Sequence, residues 1–277
     1  VIDADRIIQR SGENFRQYMF SFHDQNGNEM CLRPDLTIVS CLRYLKNRAK
    51  IKEKIFYSGQ AFRKIKDQKS KIIRNQIGYE IIGSKNVKQD DYEIIQTSIK
   101  TVQKIKKTKL IIEVGNIKLF NLFLNKLKLP KRWKLRLSRH FWRERYFESL
   151  LKRLETNSDI DPLAVEVDKK RYKKMKSENQ KQIVAGRKIS EILNRFNNKV
   201  KDPRKFAEGK KTSSIIRDYL KISCSINNAK KKLNDFFSKH NIKINIKDEF
   251  FPIKNNLSKN KIIFSTNYGR ELEYYTG

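Results

Sequence analysis

Tyr57-Ser58-Gly59-Gln60-Ala61-Phe62-Arg63 is the stretch on which the fold reading turns. At strand period Tyr57, Gly59, Ala61 and Arg63 share one face. Gly59 allows close backbone approach, and Arg63 offers a planar fork suited to carboxylate or phosphate. Just downstream, Gln76-Ile77-Gly78-Tyr79-Glu80 repeats the pattern and puts Gln76, Gly78 and Glu80 on one face. An amide and a carboxylate opposite an arginine can bind the polar atoms of an amino acid or an imidazole. Upstream lies Leu32-Arg33-Pro34-Asp35-Leu36-Thr37, where Pro34 biases Arg33 towards an extended backbone. Read as a strand, it turns Asp35 and Thr37 to the same side, where a carboxylate and a hydroxyl can receive an ammonium group. The sequence stops in Arg270-Glu271-Leu272-Glu273-Tyr274-Tyr275-Thr276-Gly277. Taken singly, each segment also reads as a half-buried strand or a surface Arg–Asp pair. All four place groups able to hold a small zwitterion beside apolar, strand-like residues.

In this order the segments resemble the catalytic core of histidyl-tRNA synthetases. More closely, they are similar to a non-catalytic relative, the regulatory-subunit family of ATP phosphoribosyltransferase. The resemblance covers most of residues 5–130 and 261–277, with further agreement in Leu127-Lys128-Leu129-Pro130. It implies that Arg33 to Thr37 matches the synthetase segment Arg-Pro-Glu-x-Thr, which holds the histidine amino group. Asp35 stands where the glutamate would be. It also implies that Tyr57 to Arg63 is the second class II motif, whose arginine grips the α-phosphate of ATP and the amino-acid carboxylate. That motif continues Phe-Arg-x-Glu, the glutamate contacting adenine, whereas this chain reads Phe62-Arg63-Lys64-Ile65. Isoleucine accepts no hydrogen bond, so the departure argues against adenylate formation. The last segment resembles the histidine-specific Arg-Gly-Leu-Asp-Tyr-Tyr signature, with Glu271 replacing the glycine and a Tyr-Tyr-Thr-Gly ending that matches the regulatory family.

Composition bounds the answer without choosing it. A chain of 277 residues with 38% hydrophobic and 10% aromatic residues can bury a substantial core. No apolar stretch approaches about 18 residues, and no basic-plus-apolar leader is present. The net charge of +33 admits nucleic acid or an anionic membrane as partner. The lysines, however, are spread along the whole chain among Ile and Asn, which suits an A- and T-rich coding bias on solvated faces. No basic block reads as interleaved with stacking aromatics. The densest run, Lys169 to Lys176, reads as a solvated helix face. Cys31, Cys41 and Cys224 lack CxxC spacing, Cys31 and Cys41 sitting among apolar residues as small core side chains. His23, His140 and His240 lack metal spacing, and a reducing cytoplasm suits this usage.

The elements follow from turn and periodicity signals. Gln25-Asn26-Gly27-Asn28 is a turn leading into a return strand at Glu29–Leu32. Strands are expected at Lys54–Phe62, Gln76–Ile82, Leu110–Val114 (buried) and Lys261–Thr266. Asp90 and Asp91 are expected to cap a helix carrying Ile94, Ile95, Val102 and Ile105. Gly115-Asn116 opens another, with a stripe of Ile117, Phe120, Leu124 and Leu127 ended by Pro130. Residues 131–241 read as mainly helical, with Ile226, Ala229, Leu233 and Phe236 on one face. The chain begins at Val1 and stops within a motif, and is expected to be a fragment lacking both termini.

The fold class is therefore α+β, an antiparallel sheet of class II synthetase type flanked by helices, with a helical segment in the second half. Residues 1–277 are expected to form a single core-type domain, with 131–260 a lysine-rich helical segment within it. The resemblance implies a regulatory, non-catalytic subunit without catalytic residues, cofactor or metal, acting in the first step of histidine biosynthesis. It implies a class II-type homodimer that assembles with the short-form catalytic subunit into a hetero-octamer, with histidine as a ligand and neither membrane nor nucleic acid as a partner. The histidine-pocket residues it assigns are Asp35, Thr37, Arg63, Gln76, Glu80, Arg270, Tyr274 and Tyr275. A divergent histidyl-tRNA synthetase and a basic RNA-binding relative stay open as alternatives.

Overall fold

Residues 1–11, 13–47, 51–64, 71–105, 108–156, 162–177, 183–184, 187–188, 190, 192–194, 197, 206–251, 253 and 260–269 are described by a computed structural model. They gather into two units, one built on residues 1–110 and the other on residues 111–250 and 261–269.

The first unit begins with β1 (Ile2–Asp3), α1 (Ala4–Ser11), a 3-10 turn (Glu13–Tyr18), β2 (Ser21–His23) and β3 (Glu29–Cys31). The strands form an antiparallel sheet in the order β1-β3-β2. Its hairpin turn falls on the expected Gln25–Asn28, because Gly27 takes φ +78° and the Asp24 carboxylate accepts the amides of Asn26 and Asn28, each at 2.8 Å. Beneath lie Ala4, Ile7, Phe15, Met19, Cys31 and Ile38. Cys31 is fully buried and burial pushes its thiol up to about 11, so it packs as a small neutral residue.

There follow α2 (Leu36–Lys46), β4 (Glu53–Phe62), β5 (Ile73–Ile82) and α3 (Val87–Ile105). β4 and β5 make one antiparallel hairpin, in register from Glu53↔Ile82 to Phe62↔Ile73. The start of α3 differs from expectation. Asn86, not Asp90 or Asp91, caps it by accepting the Gln89 amide at 3.3 Å, and Asp90 instead pairs with Lys52. Along α3 Ile99 is the buried apolar residue, while Val102 and Ile105 remain exposed.

The second unit contains β6 (Ile111–Val114), α4 (Ile117–Lys126), α5 (Lys131–His140), α6 (Glu144–Thr156), α7 (Pro162–Ser177), β7 (Ile183–Val184), β8 (Arg187–Lys188), α8 (Phe206–Leu220), β9 (Ser223–Ser225), α9 (Ile226–Lys239), a 3-10 turn (Asp248–Phe250) and β10 (Lys261–Ser265). β10 lies between β6 and β9, parallel to β6 and antiparallel to β9. The late strand thus returns to β6. As an edge strand β6 is covered on one side only, so Ile111 is 73% exposed rather than buried.

Helical burial follows the 3.6-residue period with small shifts from the expected stripes. In α4, capped by Asn116, it is Leu119, Phe120, Phe123 and Leu124 that are buried. In α9 Ile226, Ala229 and Leu233 turn inward as expected, with Phe237 rather than Phe236 as the fully buried ring. Phe123 stacks on Tyr219 of α8 at 4.4 Å between centroids, and Phe120 packs on Phe141 at the same distance. Arg217 of α8 joins Glu148 and Glu155 of α6.

Two readings of charge meet the structure differently. The lysines and Arg171 of the run Lys169–Lys176 are exposed on α7, as a solvated face should be. The block Lys131–Tyr146, by contrast, does interleave basic and aromatic residues. Trp133 and Phe141 are buried and the other rings half-buried; the Arg132 and Arg136 guanidiniums lie over Trp133 at 5.5 and 5.7 Å. The arginines cover core aromatics and leave Trp133 no open ring for a base to stack on.

Truncating Phe123 to alanine should cost about 3–5 kcal/mol, read as a lowered urea midpoint at unchanged m-value. His140 sets a pH limit, because burial first, then Arg143, Arg139 and Arg136, lowers its pKa to about 4. The unfolded chain, with a pKa near 6.5, therefore binds the proton more readily, so this contribution to stability is present above about pH 6.5 and is lost as pH falls towards 4. His140→Gln should flatten the decline of the melting temperature over that window relative to the unsubstituted chain.

Candidate functional site

The first three motifs meet in the first unit, where the start of α2 lies on one face of the β4–β5 hairpin. The strand period holds on both strands: Tyr57, Gly59 and Ala61 of β4 and Gln76, Gly78 and Glu80 of β5 form the covered face, while Phe56, Ser58, Gln60 and Ile77 face out. Register sets Tyr57 beside Gly78 and Gly59 beside Gln76. The small residues make room. A Cβ on Gly78 would sit 2.0 Å from the Tyr57 ring, and one on Gly59 would sit 3.3 Å from Leu36 Cδ1.

The Arg33–Thr37 segment corrects the sequence expectation. Asp35 and Thr37 do not lie on a strand. Asp35 is the extended N-cap of α2, its Oδ1 accepting the Thr37 amide at 2.7 Å, and Thr37 stands in the first helical turn. The two still converge, because the cap turns the carboxylate back over the first turn. Arg63 likewise follows the last residue of β4 rather than belonging to it, and it reaches across to this helix end. Its Nε donates to the Pro34 carbonyl at 2.8 Å, and Nη2 lies 3.4 Å from Asp35 Oδ2. Asp35 is only 4% exposed, so the cap bond and the guanidinium together compensate a carboxylate that water barely reaches.

Tyr57 completes the site. Its hydroxyl donates to Glu80 Oε1 at 2.9 Å, so its oxygen receives the Thr37 hydroxyl proton, also at 2.9 Å. Burial pushes the phenol well above its ordinary range; the Thr37 bond opposes this and the Glu80 charge adds to it. The group therefore stays a neutral donor. On the other strand the Gln76 Oε1 accepts the Leu36 amide at 3.1 Å, satisfying a donor exposed at the start of α2. Arg33 Nε ties the same turn to the Gln60 carbonyl at 2.7 Å.

Five of the eight residues assigned from sequence, Asp35, Thr37, Arg63, Gln76 and Glu80, thus share one connected region. Arg270, Tyr274 and Tyr275 lie outside the described residues. Tyr57 was legible as a member of the strand face but was not assigned to the pocket. Its signal was its place two residues before Gly59, opposite the glycine of the second motif. Beyond the bonds above, and with the Arg63 guanidinium over the Phe15 ring at 5.7 Å, Arg63 Nη1, the Gln76 amide nitrogen and Glu80 Oε2 make no hydrogen bond among the described residues, a set of two donors and an anionic acceptor. That set matches the carboxylate, polar side chain and ammonium of an amino acid. Among the described residues no group of three or more His, Cys, Asp or Glu side chains could hold a metal ion, and no helix is long and apolar enough to cross a membrane.

An α+β fold with such a site is of the class II aminoacyl-tRNA synthetase type. A solved structure from Bacillus halodurans, described as an ATP phosphoribosyltransferase regulatory subunit/histidyl-tRNA synthetase, superposes with a TM-score of 0.54 at 16% identity, over 98% of this chain and 59% of that one. The chain belongs to the histidyl-tRNA synthetase family, whose model matches residues 3–277. Curated relatives from Brucella anthropi, Mesorhizobium japonicum and Sinorhizobium fredii are 25%, 23% and 22% identical over 99% of this chain and 77%, 78% and 77% of theirs. Each bears the name ATP phosphoribosyltransferase regulatory subunit.

Tyr57→Phe should leave Glu80 and Thr37 without their shared partner and lower stability by about 1–3 kcal/mol in chemical denaturation. Gly78→Ala should cost more, because it displaces the whole ring.

Proposed function

We propose that this chain is a regulatory subunit of ATP phosphoribosyltransferase, serving the first step of histidine biosynthesis without catalysing it. The observation that carries the reading is the common name of its curated relatives, which align with 99% of the chain. Two features of the chain itself agree. Ile65 occupies the place of the adenine-contacting glutamate in the synthetase motif, and isoleucine offers no acceptor. Arg63, the residue matched to the ATP-binding arginine, already holds Asp35 and the Pro34 carbonyl. The site then serves as a binding module for histidine, with no cofactor, formed by Asp35, Thr37, Arg63, Gln76 and Glu80 with Arg270, Tyr274 and Tyr275. Residues 1–277 act as one class II core-type domain within a homodimer in the cytoplasm, assembled with short-form catalytic subunits into a hetero-octamer. Histidine regulates by binding one arrangement of that assembly more tightly than another, since a ligand shifts an equilibrium only by its differential affinity.

The family match itself favours a second reading, a divergent histidyl-tRNA synthetase. One set of experiments separates the two. Co-expressed with a short-form catalytic subunit from the same genome, the full-length protein should co-purify with it and raise its turnover. Arg63→Ala or Glu80→Ala should weaken histidine inhibition at least about tenfold, roughly 1.4 kcal/mol. Unchanged inhibition removes the pocket from the mechanism. No complex, together with histidine-dependent exchange of pyrophosphate into ATP, establishes the synthetase.

A further inference from the structure

After α9 the chain runs through Ile242-Lys243-Ile244-Asn245-Ile246-Lys247 without joining a sheet. Burial alternates as it does in a half-covered strand: Ile242, Ile244 and Ile246 turn in, Lys243, Asn245 and Lys247 turn out. Ile242 is fixed by its amide to the Phe237 carbonyl at 2.8 Å. From Lys243 to Asn245, however, the backbone amides and carbonyls meet no partner among the described residues. Its alternation is that of a strand, and among the described residues its edge has no neighbour. Between it and the outer face of α4 lies a groove of about 940 Å³, with Leu122 and Ile244 on its walls and Lys118, Lys126, Lys243 and Lys247 around it. Glu249 is the sole carboxylate among the lining residues, and it lies 3.7 Å from Lys247. Lys118, Lys126 and Lys243 pair with no carboxylate among the described residues.

We infer that this groove receives an extended, carboxylate-bearing segment of a partner protein, which adds to Lys243–Asn245 as a β-strand. Two features specify the occupant. Peptide groups without partners among the described residues, on a segment whose burial alternates with period two, call for an extended backbone that satisfies them with ladder hydrogen bonds. Alternation then points every second side chain of that backbone into the groove against Leu122 and Ile244, and the intervening ones towards the lysines. Three unpaired ammonium groups around one apolar wall select acidic residues at the outward positions and repel a basic segment. The partner that presents the segment is the catalytic subunit. The inference thus rests on the proposed function, while concerning a surface separate from the histidine-pocket residues.

The test uses the full-length protein and the co-expressed short-form catalytic subunit. Hydrogen exchange of the free protein and of the complex should show the amides of Lys243 to Asn245 slowing at least about tenfold on complex formation. The triple variant Lys118→Glu/Lys126→Glu/Lys243→Glu should bind the catalytic subunit at least about tenfold more weakly, with an unchanged melting temperature. Rising salt should weaken the unsubstituted complex more than that of the variant. Unchanged affinity of the folded variant, or amides that exchange as fast in the complex as alone, overturns the groove while leaving the regulatory role standing. Protection already present in the protein without the catalytic subunit assigns the strand to a second copy of this chain and overturns the partner. Absence of any complex with the unsubstituted protein overturns both the groove and the regulatory reading.

Discussion

The Tyr57 hydroxyl is the joint on which the site depends. It takes a proton from Thr37, on the first turn of α2, and gives its own to Glu80 on β5. A side chain of one strand thereby fastens a helix end to the neighbouring strand. The remaining contacts assume this placement: Gln76 reaches the Leu36 amide, and Arg63 reaches the Pro34 carbonyl, because the helix end is held over the hairpin. A two-stranded hairpin is marginal by itself. Packing on α2 supplies the third element that gives its inner face something to bury against. Gly78 is part of the same joint, since any larger residue would occupy the space of the Tyr57 ring. The groups assigned to the pocket from sequence are here bonded to one another, so the proposed ligand would enter a network that is already formed.

The hairpin was legible because a half-covered strand writes its period directly into the sequence. Tyr57, Gly59 and Ala61 could be assigned to one face of their strand, and Gln76, Gly78 and Glu80 to one face of theirs, before the pairing was known, and register then joined the two sets. Arg33 to Thr37 misled for a physical reason. Pro34 and the β-branched residues Thr37, Ile38 and Val39 suit an extended chain, and local preference therefore favours a strand. Tertiary packing overrode that preference, aligning Leu36, Ser40 and Tyr44 as a buried row at helical spacing behind an aspartate cap. The same competition moved the start of α3 to Asn86, whose side chain can cap as well as an aspartate can.

Topology was the least legible layer. Nothing local to Lys261–Ser265 states that its neighbours are Ile111–Val114 and Ser223–Ser225, since those pairings span long stretches of chain. The interleaving of basic and aromatic residues in one block was passed over in the sequence. Lys131–Tyr146 has the composition of a nucleic-acid surface, but its Trp133 lies in the core with the guanidiniums of Arg132 and Arg136 laid over it. Sequence records which residues alternate, not which of them face inward. That distinction separates an RNA-binding block from a core edge lined by arginine stems.

The placement of Arg63 bears on the proposed reading of this site as a binding module. A guanidinium that must grip a phosphate during catalysis has to be held ready but unneutralised, so that its charge acts on the substrate. Here the same guanidinium lies against the Asp35 carboxylate and donates to the Pro34 carbonyl, which lowers its value for stabilising a developing charge. Any anion that takes the whole Arg63 fork would have to draw it away from a carboxylate only 4% exposed. The cost of leaving Asp35 buried and unpaired would then count against nucleotide binding. Two coupled features thus oppose adenylate chemistry, an isoleucine at position 65 and an arginine bonded to Asp35, so that changing the first alone would leave the second in place.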